Sequence, residues 1–116
     1  MKIWDEMQEK GLIEQGCILK AGEPVSSSFP PELKKHLAVA KQSLSYIFRS
    51  VGKTGKNYNE AHMEIGDKHF SGYLLSDDII LICMCSYGAN QQHLGQFVEE
   101  KKDNLLAVAR TNFALE

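Results

Sequence analysis

Between Leu33 and Val51 the apolar residues Leu33, Leu37, Ala40, Leu44, Ile47 and Val51 recur at intervals of 4-3-4-3-4. On a helix of about 3.6 residues per turn this spacing holds one apolar seam on one side of a long rod. Pro30-Pro31 opens the segment where a missing amide costs nothing, Glu32 suits the positive end of the helix dipole, and Gly52 and Gly55 end it. A single helix with one apolar face needs a surface to lie on, so the rest of the chain must supply a sheet or a second helix.

The flanking segments supply a sheet. Gln15–Lys20 reads as a strand, Ala21-Gly-Glu-Pro24 as a turn and Val25–Phe29 as a returning strand. After the long helix the period drops to two: Ala61, Met63 and Ile65 alternate with Glu60, His62 and Glu64, as a half-exposed strand over 59–65 requires. Gly66-Asp67-Lys68 is a tight turn, His69–Leu75 the next strand, and Ile79–Cys85 is apolar on both faces, which predicts a central strand covered on both sides. Ile3, Trp4 and Met7 mark a short amphipathic helix at the start. Leu94, Phe97, Val98, Leu105, Val108 and Ala109 mark one final helical segment.

The order αββαβββα predicts an α/β domain of α+β type, with a five-stranded, mainly antiparallel sheet flanked by helices in two or three layers. No linker, repeat or low-complexity stretch divides residues 1–114, which read as one domain; Leu115-Glu116 reads as the start of a vector-encoded junction and is set aside.

A net charge of −2 gives no global attraction to nucleic acid or anionic lipid, so neither is an expected partner. No apolar run approaches the roughly 20 residues of a membrane span, and Asp5 and Glu6 stand where a signal peptide would be hydrophobic. Together with the odd set Cys17, Cys83 and Cys85, this points to a reducing, cytoplasmic setting. Charge is uneven along the chain. The long helix carries Lys34, Lys35, Lys41 and Arg49 against only Glu32, a basic flank suited to an acidic protein partner.

Motifs for chemistry are weak. Gly52-Lys53-Thr54 matches the end of a phosphate-binding loop, but the glycine required five residues earlier falls on Ile47, and the segment follows a helix instead of a strand. Cys83 and Cys85 sit two apart on one strand with Cα atoms roughly 6.6 Å apart, a poor geometry for a disulfide, and are expected as separate core thiols. His36, His62, His69 and His93 fall on different elements with no metal-type spacing. No metal, cofactor or catalytic residue is assigned.

Gly16-Cys-Ile-Leu-Lys-Ala-Gly-Glu-Pro-Val-Ser-Ser-Ser28, Asp78-Ile-Ile-Leu-Ile-Cys-Met84 and Gly88-Ala-Asn-Gln-Gln-His-Leu-Gly95, in this order of elements, resemble the roadblock family of dynein-light-chain-like proteins. The resemblance implies a homodimer in which the middle helix and third strand pair with their symmetry mates. Its interface would draw on Leu33, Leu37, Ala40, Leu44, Ile47 and Val51 with Ala61, Met63 and Ile65. It also implies a non-catalytic scaffold or adaptor, with a small Ras-like GTPase as the leading partner for the flank of Lys34, Lys35, Lys41 and Arg49. The alternative is a profilin-like or PAS-like small-molecule sensor, with pocket space left by Ser71, Gly72, Gly88 and Ala89.

Overall fold

A computed structural model describes residues 2–53, 59–85 and 90–111; the side chains of Lys2, 51–53 and Thr111 are not included in that description. In chain order these residues form α1 (Lys2–Glu9), β1 (Gln15–Lys20), β2 (Glu23–Ser27), a 3-10 turn (Pro31–Leu33), α2 (Lys34–Lys53), β3 (Glu60–Ile65), β4 (Lys68–Ser76), β5 (Ile79–Cys85), α3 (Gln91–Glu100) and α4 (Lys102–Thr111). The strands form one antiparallel sheet in the order β2-β1-β5-β4-β3.

β5 is the middle strand, as its continuous apolar sequence requires. It pairs with β1 from Lys20↔Ile79 to Gln15↔Met84 and with β4 from Ser76↔Ile79 to His69↔Cys85. Its side chains alternate between two cores. Leu81, Cys83 and Cys85 point to the side of α1, α3 and α4, where Trp4, Met7, Leu94, Phe97 and Leu105 meet them; Ile82 and Met84 point to the α2 side, with Cys17, Leu19, Ala40, Leu44, Phe48 and Phe70. The result is three layers, helices on both faces of one sheet.

Close packing fixes both interfaces through glycine. A methyl at Gly72 would come within 2.6 Å of both terminal carbons of Leu44, and one at Gly16 would overlap the Trp4 ring. Trp4 is held from the other side by its indole N–H, which donates to Ser26 Oγ at 3.0 Å in a buried bond. Ringed by apolar contact, that N–H would otherwise be an unpaired donor.

Three boundaries differ from the sequence reading. The hairpin between β1 and β2 is tighter: Ala21 and Gly22 alone make the turn, with φ of 52° and 83°, and β2 starts at Glu23. Both residues in the left-handed region give the twist a two-residue hairpin needs, an uncommon conformation for alanine. Phe29, expected at the end of that strand, lies beyond it and stacks on Phe70 with centroids 6.1 Å apart. The final helix is two helices, with Lys101 at φ −102°, ψ 13° between them. In one straight helix Lys101 would stand in the row Phe97-Lys101-Leu105, whose other members are buried. The break lets the ammonium stay half-exposed, 4.0 Å from Glu6.

Candidate functional site

The sheet has two edges, and they are unlike. β2 is short, carries Pro24, and bulges at Val25, opposite Ile18 and Leu19 of β1. β3 pairs with β4 in unbroken register from Glu60↔Tyr73 to Ile65↔Lys68. The amide of Leu74 donates to the carbonyl of Asn59. Alternation from that bond directs the backbone groups of Ala61, Met63 and Ile65 to β4 and those of Glu60, His62 and Glu64 outward.

Beside this edge lies α2, which packs over β3, β4 and β5. The expected seam is divided by the structure. Ala40 and Leu44 are completely buried against the subunit's own sheet, Leu33 and Leu37 pack partly on the same core, and Phe48, absent from the expected seam, completes it. Ala40 and Leu44 therefore have no side-chain surface to offer another copy. Ile47 is half-buried, and Val51 falls among the residues whose side chains are not described. Exposed instead are Tyr46, at 67%, and Val39, at 47%. They stand seven apart, a one-heptad spacing that marks a second, outward stripe and could have been read from sequence. Ala61, Met63 and Ile65 are half-buried on the α2 face of β3.

The other flank of α2 is basic. Lys41 and Arg49 share the wall of an open cleft of about 340 Å³ with Ala38, Gln42 and Ser45. Ser45 and Arg49 also border a second cleft of about 350 Å³, floored by Phe48, Leu74 and Ile80 and closed by the turns Ala21-Gly22 and Asp77-Asp78. The Ala21 amide donates to the Asp78 carbonyl at 2.8 Å, tying those turns together. Lys34 and Lys35 are exposed near the helix start, outside both clefts.

Two of the four histidines, on different strands as expected, meet across the sheet. His62 of β3 stacks on His69 of β4 at 6.0 Å and meets Tyr73 edge-on at 6.3 Å. Cys85 Sγ donates to Ser71 Oγ at 3.7 Å, Ser71 Oγ and His62 Nδ1 are hydrogen-bonded at 2.7 Å, and Glu60 Oε2 accepts from His62 Nε2 at 2.6 Å. Gln91 reaches His69 from α3. A serine, a histidine and an acid in a row resemble a nucleophile with its base, but Ser71 is completely buried. The row ties the edge strand to the central strands. Pairing of His62 with Ser71 across β3 and β4 follows from register, which the sequence leaves open.

Burial governs the thiols. It pushes Cys17 up from 9.0 to about 11, with Ser27 and Lys41 opposing it, and raises Cys83 and Cys85 as well. Neutral thiols are poor nucleophiles and poor metal ligands. Cys17 also points to the α2 core while Cys83 and Cys85 point to the other. Among the described residues no group of three or more His, Cys, Asp or Glu side chains is placed to hold a metal ion, and no helix is long and apolar enough to cross a membrane. Gly52 and Lys53 end α2 instead of leading into a helix, and Thr54 lies outside the described residues. The space beside Gly72 that a sensor would use is filled by Leu44; Gly88 and Ala89 also lie outside the described residues.

No family model and no curated protein matches the sequence. The crystal structure of a Roadblock/LC7 domain from Streptomyces avermitillis superposes with a TM-score of 0.66, covering 89% of this chain and 94% of that one. This is the roadblock fold. At 14% identity the likeness is one of architecture. In this chain β3 lies at a sheet edge with α2 packed alongside, and both carry the features just described.

Proposed function

We propose that this roadblock-fold domain is a non-catalytic, homodimeric scaffold that binds an acidic protein through the basic flank of α2. The observation carrying the reading is the unguarded β3 edge together with the helix packed on it, which exposes Tyr46 and Val39. Antiparallel pairing of two such edges about a dyad would satisfy the outward backbone groups of Glu60, His62 and Glu64 and continue two five-stranded sheets as one. The same operation would bring Tyr46 and Val39 toward their mates and shelter Ile47 with Ala61, Met63 and Ile65. Leu33 and Leu37 support α2 from below.

Pairing through that side leaves the flank of Lys34, Lys41 and Arg49 free and doubles it about the dyad, with Lys35, four residues before Val39, at its margin. A concentrated positive surface accelerates encounter with an acidic partner. A small Ras-like GTPase is the leading candidate for that partner and the cytoplasm the proposed setting. Light scattering at micromolar concentration gives a dimer mass under this reading, and a monomer would overturn it. The double substitution of Lys35 and Lys41 by glutamate is expected to keep the dimer and slow association with a GTPase encoded beside this gene, with a weaker salt dependence. Unchanged on-rates would remove the basic flank from the interface.

A further inference from the structure

Resting on the protein-binding reading, we propose that the groove formed by the two clefts along α2 takes a linear segment of the partner: one apolar side chain with carboxylates on one side of it only. The groove is continuous, because Ser45 and Arg49 border both clefts. From Ala38 to Arg49 the helix rises about 16 Å, the span of roughly five residues of extended chain. Linear recognition of this length combines a pocket for one anchor with a few fixed polar contacts.

The two halves of the groove differ chemically, and the difference specifies the occupant. The larger half has an apolar floor of Phe48, Leu74 and Ile80, in a cavity of about 350 Å³ that suits a leucine- or phenylalanine-sized side chain. The other half is walled by Lys41 with Gln42 and Ser45, and Arg49 stands at the junction. α2 carries no acidic residue to neutralise them. Carboxylates are therefore favoured toward Lys41 and Arg49. At the opposite end the exposed Asp77 and Asp78 repel them, so the acidic residues fall on one side of the anchor. Ala21, held with φ at 52° by the hairpin and bonded to Asp78, keeps that end closed. None of the groove's lining residues lies on β3, so a dimer joined at that edge would leave it open.

The test uses the full chain and a phage-displayed library of random peptides long enough to span the groove. Selected peptides are expected to share an apolar residue with Asp or Glu on a single side. Ser45→Trp, which fills the junction, and Arg49→Glu, which alters only an exposed charge, should each weaken binding by about tenfold or more with the melting temperature and oligomer mass of Arg49→Glu unchanged. Failure to enrich any motif overturns the groove, as does a motif that is basic or has acids on both sides. Peptides that bind Ser45→Trp and Arg49→Glu as tightly as the parent also overturn it, while leaving protein binding elsewhere on the domain intact. The wider reading is judged separately, by the dimer mass and the GTPase titration.

Discussion

At one end of the sheet β2 runs for five residues with a proline and a bulge, whereas at the other β3 runs for six in regular register. Pro24 has no amide to offer a neighbouring chain, and the bulge beside it twists the strand out of line. β3 has neither device, yet its residues are no more hydrophobic than an exposed strand allows: Glu60, His62 and Glu64 are all exposed. Of the two edges, only β3 presents an unbroken row of outward backbone groups to which another strand could pair. The side chains agree with the backbone. β2 is sealed to its own core by the Trp4–Ser26 bond, whereas the exposed Tyr46 and Val39 lie on the helix that packs on β3.

The sharpest way to break this comparison is proline scanning. Glu64→Pro removes an amide directed to the free edge and keeps the bonds of Met63 and Ile65 to β4, so it is expected to give a folded monomer by sedimentation, with dimer affinity lowered by about a hundredfold or more. Ser27→Pro, the corresponding change on β2, should leave the mass unchanged. Equal effects at both edges would mean that the asymmetry has no role in assembly.

A smaller effect comes from pH on the guarded side, where Cys17 pairs with Ser27 across β1 and β2. Its folded value of about 11 stands above the ordinary 9.0, so the thiol favours the folded state fully below pH 9. Above that the unfolded chain ionises first, and stability declines as pH rises toward 11, by about 2 to 3 kcal/mol from this group. Cys83 and Cys85 act in the same direction. Melting temperature followed from neutral to alkaline pH should fall, and Cys17→Ala should flatten the decline while lowering its starting point. An unchanged slope would show that the β2 side admits water at Cys17.

The smallest expected effect is that of unguarding the guarded edge. Pro24→Thr restores an outward amide to β2 and is expected to change subunit stability by less than about 1 kcal/mol. It should produce species larger than the parent in sedimentation at high concentration. Absence of such species would assign the protection to the bulge alone.

The sequence by itself determined the number, order and faces of the strands, because a period of two and a period of 3.6 are written directly in the placement of apolar residues. It determined the central position of Ile79–Cys85, whose two apolar faces leave no side for water. Local chemistry also set the 3-10 turn from Pro31 that leads into α2 and the turns at Gly22 and Gly66, where φ is positive. Tertiary structure alone decided which part of the α2 surface is core and which is free. A 4-3-4-3-4 row drifts around a long helix, so Leu44 ends over Gly72 with Phe48 following it, while Tyr46 and Val39 remain outside. It alone decided that Lys101 breaks the last helix, because the penalty for burying a charge exists only once a core is present to bury it. The row Cys85-Ser71-His62-Glu60 and the groove beside Arg49 were likewise beyond reach, since each joins residues from separate strands, turns or helices and depends on register and packing that no local pattern specifies.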